Sequence, residues 1–358
     1  MKLSNDSHLH MTLDDDLKMS AEGFALYKKG SCIDNITFLA INSAFTVLKH
    51  CYNTNSKCLY LKEYFDEKGY AGLSFDYAKE VSANGFLDQL KMGYDAGFDC
   101  LKMLEAKPKM QRDLGLRVDD EIYDKAYDYA EKNDIPIILH VADPDWMWGA
   151  ELKGFNPPSY YKMQAVNVLK KHPNLRLNLA HFGFMSDSPD LVVELLEKYP
   201  NLTFDNVPAT DEFVVISKNP KVWREIFIEY NKRYMFGSDR GNHTTKGITE
   251  QEFYKIYPTT SAQDSRKFFE IDGLYDGRSA WPNDTELFYL HGLNMPEEAV
   301  ENIFYNNFFS FFKKRKTVDY DIMAKYVKHE FSLPKNSKYH DADYQTLKEF
   351  LAQKSVNI

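Results

Sequence analysis

Four histidines and one aspartate, side chains that commonly bind divalent metal ions, follow short apolar runs in this chain of 358 residues. His8 and His10 stand two residues apart, His140 and His181 each end a run, and Asp239 ends the segment Met-Phe-Gly-Ser-Asp. Side chains two apart on a strand point to the same face, so His8 and His10 can converge on one ion. Each feature is weak alone, because a histidine at a strand end is more often structural and an aspartate there can cap the next segment.

Taken together, these residue types favour one kind of chemistry. Three imidazoles and a carboxylate suit a borderline ion such as Zn²⁺ and leave one coordination position open for water. An open position is typical of a catalytic zinc site rather than a structural one. The sequence therefore predicts a catalytic metal site built from His8, His10, His140, His181 and Asp239.

Short apolar or β-branched runs carry these residues, and longer segments with helical periodicity separate the runs. We count eight runs, over residues 2–10, 35–41, 71–75, 98–104, 135–141, 175–182, 202–207 and 234–239. One separating segment, 119–133, repeats apolar residues at steps of three and four and begins with acidic residues, which indicates an amphipathic helix. The alternation predicts repeated βα units.

Eight such units in series favour an α/β fold, a (β/α)₈ TIM barrel, over a doubly wound open sheet, which would give a similar alternation. In a barrel, the C-terminal ends of the strands form the face where active sites are built. The four histidines and Asp239 fall at the ends of runs 1, 5, 6 and 8. These side chains, far apart in sequence, are therefore expected to meet at one mouth.

Two further features concern the organisation of the chain. After Asp239 comes a long loop, rich in polar and aromatic residues, before the next helix over 296–312; a loop of that length is a candidate lid over the mouth. Residues from 317 onward form a C-terminal helical extension. The predicted division is a barrel over 1–316 and an extension over 317–358 that packs on the barrel.

Charge and composition exclude several classes of function. A net charge of −9 and a pI near 5.6 argue against a general grip on nucleic acid, and the basic run 313–316 suits a solvated helix end. The four scattered cysteines indicate free thiols.

The sequence also bears on location and partners. No signal-like segment and no stretch of 18 apolar residues occurs, which predicts a cytoplasmic protein that binds a small-molecule substrate and no membrane. The oligomeric state is left open, with a homo-oligomer among the possibilities.

The order H-x-H, His, His and Asp at runs 1, 5, 6 and 8, with Gly-Ser-Asp at the last, resembles the amidohydrolase superfamily. The resemblance covers roughly residues 1–312, including a closing helix over 297–312 with Ile303 and the pair Asn306-Asn307. Within the superfamily the chain looks most like the amidohydrolase-2 branch of hydrolases and non-oxidative decarboxylases. The resemblance implies that the metal ligands are His8, His10, His140 and Asp239. It also implies that Asp239 is the general base and that His181 is a nearby acid or electrophile.

The number of metal ions depends on Lys102, in the fourth run. In some superfamily members a lysine on this strand is carboxylated and bridges two metals, so Lys102 is a candidate for that role. The alternatives are an ammonium that binds an anionic substrate, or a buried stem with a solvated tip. Because the branch is usually mononuclear, we expect one divalent ion, Zn²⁺ before Mn²⁺, rather than two. Glu105 lies on the opposite face by alternation and is not expected to reach the metal.

Candidate substrate-binding residues follow the runs. Trp146 and Trp148 lie in the loop after His140, where they could wall a pocket or only anchor the loop. Arg240 follows Asp239, and Arg112 and Arg117 follow the fourth run; each could clamp a carboxylate, although simple surface solvation suits the last two.

The leading functional hypothesis is a metal-dependent hydrolase of a small-molecule amide, ester or lactone, in which metal-activated water attacks a carbonyl and Asp239 is the general base. The alternative is a metal-dependent non-oxidative decarboxylase of a carboxylated ring. A third hypothesis, a non-catalytic metal-binding barrel, is weaker because a structural site needs neither an open position nor a carboxylate base.

Overall fold

The computed structural model describes residues 2–11, 16–41, 53–206, 210–240, 262–277, 289–334 and 337–358. At its centre is a parallel sheet of eight strands, each paired with the next in chain order. The strands are β1 (Ser4–Met11), β2 (Ile33–Ala40), β3 (Gly69–Ser74), β4 (Cys100–Ala106), β5 (Ile137–Val141), β6 (Leu177–Leu179), β7 (Thr203–Asp205) and β8 (Tyr234–Met235). Each strand overlaps one of the predicted runs.

Backbone hydrogen bonds between β1 and the chain at and after β8 bring the two ends of the sheet together. The amide of Ser7 donates to the carbonyl of Phe236 at 3.1 Å, that of Asp239 to His8 at 2.8 Å, and that of His10 to Arg240 at 2.7 Å. The sheet is therefore a nearly closed barrel, and the predicted (β/α)₈ fold is confirmed over the open sheet.

Helices alternate with the strands and cover the outside of the barrel. They are α1 (Leu17–Gly30), α2 (Asn55–Tyr64), α3 (Ala83–Ala96), α4 (Pro108–Leu114), α5 (Asp124–Lys132), α6 (Pro158–Lys171), α7 (Pro189–Lys198), α8 (Thr210–Ile216), α9 (Pro220–Glu229), α10 (Ala262–Glu270), α11 (Glu297–Glu301), α12 (Asn307–Phe312), α13 (Tyr320–Ser332) and α14 (His340–Gln353). Short 3₁₀ turns occupy Asp66–Lys68, Glu121–Tyr123, Asp145–Gly149, Ala180–Phe184 and Asn231–Arg233, and a π-helical turn, Asn302–Asn306, joins α11 to α12.

Local signals in the sequence set several helix ends. The side chain of Asp16 accepts a hydrogen bond from the amide of Met19 and so caps the start of α1. Helix α3 ends at Ala96 and is followed by Gly97, whose φ of +104° is a left-handed conformation that favours glycine. A Cβ atom at Gly97 would lie 2.4 Å from the carbonyl oxygen of Thr317, so the close approach of the C-terminal segment also requires glycine there.

The segment after β8 contains more regular structure than the sequence predicted. Residues 241–261 and 278–288 of the predicted long loop, and with them most of the candidate lid, lie outside the described residues. Between and after them come α10 and an antiparallel hairpin of β9 (Asp272–Asp276) and β10 (Tyr289–Leu293). The hairpin was not predicted, whereas the predicted helix over 296–312 corresponds to α11, the π-helical turn and α12.

A compact apolar cluster fills the barrel below its mouth. Strand residues in it are joined by three phenylalanines of α12: Leu39, Tyr70, Cys100, Ile138, Ala180, Met235, Phe308, Phe311 and Phe312. The rings of Tyr70 and Phe308 lie 4.9 Å apart edge to face. Tyr70 and Cys100 stand at the beginnings of their strands, so α12 closes the N-terminal end of the barrel. The C-terminal end remains for the site, as in other TIM barrels.

The last two helices contact the starts of α1 and α2 through buried carboxylates. Glu330 of α13 accepts a hydrogen bond from the amide of Ser56 at 3.2 Å. Asp343 of α14 accepts one from the amide of Leu17 at 2.9 Å and pairs with Lys57 at 2.5 Å. Each carboxyl group thus accepts a hydrogen bond from an amide in the first turn of a helix, which has no partner within that helix. The helical C-terminal region is thus confirmed, while the boundary at residue 316 stays a prediction.

Among the described residues, no helix has the length and apolar character needed to cross a membrane.

We expect the substitution Glu330→Gln to flatten the pH dependence of stability between about pH 4.5 and pH 8. Burial raises the pKa of Glu330 to about 8 from an ordinary value of 4.5. The folded chain therefore holds this proton more tightly than the unfolded chain, so its stabilising effect is complete at low pH and is lost as pH rises to about 8. Glutamine mimics the protonated acid at every pH, and thermal unfolding at pH 5 to 8 measures the difference.

The matched control for this substitution is Glu349→Gln, on the same extension, where the side chain is 66% exposed. The control should leave the pH profile of the unfolding temperature unchanged. If Glu330→Gln lowers the unfolding temperature as much at pH 8 as at pH 5, the protonated state assigned to Glu330 is wrong.

Candidate metal centre

The residues singled out in the sequence as metal-binding or catalytic lie at one end of the barrel. His8 and His10 are on β1 and His140 is on β5, each in the C-terminal half of its strand, and Lys102 is the third residue of β4. His181 follows β6 directly, and Asp239 comes shortly after β8. The parallel arrangement brings these positions to the mouth, as the sequence predicted.

His8, His10 and Asp239 are in direct contact. The Nε2 atoms of the two imidazoles are 3.1 Å apart, and their rings meet edge to face. Oδ1 of Asp239 lies 3.1 Å from Nε2 of His10 and 3.5 Å from Nε2 of His8. Two ring nitrogens and a carboxylate oxygen therefore converge on one small region.

The opposite nitrogen of each ring faces a hydrogen-bond acceptor. Nδ1 of His8 lies 3.1 Å from Oδ2 of Asp205, and Nδ1 of His10 lies 3.2 Å from the carbonyl oxygen of Leu39. An acceptor at Nδ1 favours the tautomer in which Nδ1 carries the proton. Both Nε2 atoms then present lone pairs to the same small region, an arrangement that suits a bound cation.

Asp239 is held by the end of the barrel and by the closing helix. Its backbone has a φ of +49°, a conformation that non-glycine residues rarely adopt. The amide of Phe236 donates to the carbonyl of Ile303 at 3.0 Å, and the side chain of Asn307 donates to the carbonyl of Tyr234 at 2.7 Å. The motif residues Ile303 and Asn307 thus fix β8 and the turn that carries Asp239.

His181 joins the same group. One ligand atom from each of His8, His181 and Asp239 lies within 4.8 Å of the other two. His181, Phe182 and Gly183 all have left-handed backbone angles, which store strain at non-glycine residues. The amide of His181 donates to Oδ1 of Asp205 at 2.8 Å, which helps to hold this turn.

Asp205, at the end of β7, was missed in the sequence analysis. Its two carboxylate oxygens serve different residues, because Oδ2 faces His8 and Oδ1 accepts from His181. Burial raises its pKa to about 6. In metal sites, a carboxylate often accepts a hydrogen bond from the ring nitrogen of a histidine that does not bind the metal, and so orients the ring. The available signal was its position at the C-terminal end of a correctly predicted strand.

His140 lies beside this group without belonging to it. Its ring centroid is 4.7 Å from that of His181. However, its Nε2 faces the carbonyl oxygen of Ala142 at 2.9 Å, Oδ1 of Asp143 at 3.3 Å and Nζ of Lys107 at 3.4 Å. The assignment of His140 as a metal ligand stays a prediction. Lys107 and Asp143, which pair with each other, were not singled out from the sequence.

Lys102 points into the centre. Its side chain is fully buried, and Nζ lies 2.9 Å from Nε2 of His8. Burial lowers its pKa to about 8. Glu105 has a different environment and accepts a hydrogen bond from the hydroxyl of Tyr77 at 2.5 Å, in keeping with its expected position away from the metal.

The predicted substrate-binding residues have other contacts. The guanidinium of Arg240 lies over the ring of Tyr27 of α1 at 4.9 Å. Trp148 donates to the carbonyl oxygen of Asn156 at 2.7 Å, an anchor for its loop, whereas Trp146 is 60% exposed. Arg112 and Arg117 pair with the neighbouring carboxylates Asp113 and Asp119. A role for any of these residues in substrate binding stays a prediction.

Burial and charge favour the protonation states that a divalent cation needs. Burial holds the pKa of His8 well below its usual range and lowers that of His181 to about 3 and that of His140 to about 4. Burial alone would raise the pKa of Asp239, but the contact with His10 and the nearby imidazoles hold it well below its usual range. Neutral imidazoles and an ionised carboxylate are the forms that bind metal. The donor set therefore fits one ion of the Zn²⁺ or Mn²⁺ type.

Fold and centre together define the class of protein: a TIM barrel with a histidine and carboxylate group at its mouth. Comparison with known families then identifies it, because the amidohydrolase family model matches residues 83–307, well over half of the chain. The chain belongs to the amidohydrolase family. No protein with a curated description matches it.

Solved structures show the same fold at low sequence identity. The chain is similar to 4-oxalomesaconate hydratase from Rhodopseudomonas palustris, with 13% identity, a TM-score of 0.52, and 93% of this chain and 99% of that chain covered. It is also similar to an uncharacterized TIM-barrel protein from Bordetella bronchiseptica, with 12% identity, a TM-score of 0.51, and 87% and 98% covered. At such identities the likeness supports the fold alone.

Proposed function

We propose that this protein is a metal-dependent hydrolase of a small-molecule amide, ester or lactone, with one Zn²⁺ ion favoured and Mn²⁺ as the alternative. The observation that carries the proposal is the convergence of Nε2 of His8, Nε2 of His10 and Oδ1 of Asp239 within 3.5 Å. Each Nδ1 has its own acceptor, so both lone pairs are directed to the same place.

The residues that would hold the ion are His8, His10, His181 and Asp239, with His140 as the further ligand expected from the sequence. When bound, a divalent ion lowers the pKa of a water molecule and polarises a substrate carbonyl. Asp239 lies at the centre and, as an ionised carboxylate, can accept the proton of the attacking water and pass it to the leaving group.

Non-oxidative decarboxylation of a carboxylated ring is the second candidate, and Lys107 is the observation in its favour. A decarboxylase needs a cation near the centre to hold the substrate carboxylate. The ammonium of Lys107 lies 3.4 Å from Nε2 of His140, and its side chain is 21% exposed. Its pairing with Asp143 counts against this role, because a substrate carboxylate would compete with Asp143 for the same charge.

The proposal is tested with the purified full chain, stripped of metal with a chelator and then titrated with Zn²⁺ or Mn²⁺. We expect hydrolysis of members of an amide, ester and lactone panel to be abolished by stripping and restored by one equivalent of ion per chain. Release of CO₂ from aromatic carboxylic acids without any hydrolysis would favour the decarboxylase instead. A metal-loaded chain that is inactive on both panels would contradict the proposal.

A further inference from the structure

The turn after β6 carries an aromatic side chain, Phe184, that lies against two histidines at the mouth of the barrel. The rings of Phe184 and His181 are nearly parallel, with centroids 5.1 Å apart and planes inclined by 14°. The ring of His140 lies 5.9 Å from that of Phe184 and is tilted by 59°. Phe184 is therefore a direct neighbour of the centre, although the proposed chemistry does not use it.

The backbone of the turn places the rings of His181 and Phe184 over each other. Four consecutive residues have left-handed φ angles: +56° at His181, +54° at Phe182, +59° at Gly183 and +49° at Phe184. In a 3₁₀ turn, side chains at positions i and i+3 eclipse each other, and the same holds for its mirror image. His181 and Phe184 are three positions apart, so their stack follows from the left-handed turn.

This turn is unfavourable for the residues that form it. Left-handed angles are strained for any residue other than glycine, and bulky side chains rarely adopt them. Such strain persists where the surrounding structure holds it in place, and it is concentrated at functional sites. Here the amide of His181 donates to Oδ1 of Asp205 at 2.8 Å, and the amide of Met185 donates to the carbonyl of Phe182 at 3.1 Å. The turn is thus held at both ends, and the stack is what it produces.

Phe182, the other phenylalanine of the turn, contacts a different part of the molecule. Its ring packs against those of Phe227 on α9 and Tyr234 on β8, with centroids 5.6 Å and 5.9 Å apart. Phe182 and Phe184 therefore have the same side chain and the same kind of backbone strain, but the first packs in the core and the second packs on His181.

Resting on the proposed metal site, we propose that Phe184 is a positioning residue, whose ring holds the imidazole of His181 in the orientation that brings one of its nitrogens to His8 and Asp239. One ligand atom from each of these three residues lies within 4.8 Å of the other two. Rotation of the imidazole about its Cβ–Cγ bond would carry that nitrogen away. A flat ring packed parallel to the imidazole opposes the rotation, because the dispersion contacts between the two faces would be lost.

The test compares Phe184→Leu, which keeps an apolar side chain without a flat ring, with Phe184→Tyr, which keeps the ring. The full chain, stripped of metal, is titrated with Zn²⁺ against a chromophoric chelator and with Co²⁺, whose visible absorption reports the geometry of its ligands. We expect Phe184→Leu to lower Zn²⁺ affinity at least about tenfold and to alter the Co²⁺ absorption, because groups that orient a metal-binding histidine typically account for 10- to 100-fold. Phe184→Tyr should stay close to the wild type in both measurements.

Phe182→Leu is the matched control for the loss of a phenylalanine from this turn. It should lower the unfolding temperature at least as much as Phe184→Leu and leave the Zn²⁺ affinity and the Co²⁺ absorption near those of the wild type. Phe184→Met, also apolar and without a flat ring, takes the place of Phe184→Leu if thermal unfolding shows that the latter does not fold.

Two results would overturn this inference and leave the proposed hydrolase intact. One is a folded Phe184→Leu chain with the Zn²⁺ affinity and Co²⁺ absorption of the wild type. The other is an equal loss of Zn²⁺ affinity in Phe182→Leu and Phe184→Leu, which would assign the effect to the turn and not to the stack. A wild-type chain that binds Zn²⁺ but hydrolyses nothing on the panel would contradict the hydrolase alone, and a chain that binds neither Zn²⁺ nor Co²⁺ would overturn both.

Discussion

Asp239→Asn is expected to reduce turnover by about a thousandfold at saturating Zn²⁺, because loss of a positioned general base typically costs 10²- to 10⁴-fold. Asparagine keeps the shape of the side chain and one oxygen near His10, which Asp239 contacts at 3.1 Å. It cannot take up the proton that the attacking water must lose. The measurement is kcat on the best substrate of the hydrolysis panel, with the metal content of the variant determined in the same samples.

Asp76→Asn is the matched control, since Asp76 lies after β3 and pairs with His329 of the C-terminal extension at 2.7 Å instead of with the site histidines. Its kcat should stay within a few-fold of the wild type. If Asp239→Asn retains both metal and turnover, Asp239 is not the base. If it loses metal but recovers full turnover in excess Zn²⁺, Asp239 serves only as a ligand.

The barrel could be predicted from the sequence because each strand is a short apolar run between amphipathic helices. A parallel strand is buried on both faces, and β4, for example, is buried at every position, so the run stands out without a partner being known. The hairpin after β8 was missed for the converse reason. The residues of β9 are all exposed or only partly buried, which leaves no alternation of apolar and polar side chains to read.

Only those site residues that stand at the ends of strands could be predicted from the sequence. Barrel topology places His8, His10, His181 and Asp239 at one mouth, and this needs only the order of the strands. The role of Asp205 depends on a hydrogen bond to His8 across 197 positions of sequence. Similarly, the left-handed turn at His181 is held by Asp205, and nothing in the types His181 and Phe182 indicates it.

The sequence predicts His140 as a metal ligand, whereas in the structure His181 is grouped with His8 and Asp239. Replacing these histidines with alanine one at a time is expected to distinguish the two ligand sets. His8→Ala and His181→Ala should each lower Zn²⁺ affinity by more than about 100-fold, because even partners behind the ligands typically account for 10- to 100-fold. For His140→Ala we expect a smaller loss, since its Nε2 faces the carbonyl of Ala142 at 2.9 Å. Chelator competition measures all three.

His291→Ala is the control, because His291 lies in the hairpin and its Nδ1 faces the carbonyl of Gly292 at 2.9 Å. Its Zn²⁺ affinity should equal that of the wild type. If His140→Ala loses as much Zn²⁺ affinity as His8→Ala, His140 is a metal ligand, as the sequence predicts. The ring of His140 would then turn away from the carbonyl of Ala142 when metal binds. Unchanged affinity in both His8→Ala and His181→Ala would remove the metal centre from this mouth of the barrel, and the hydrolase proposal with it.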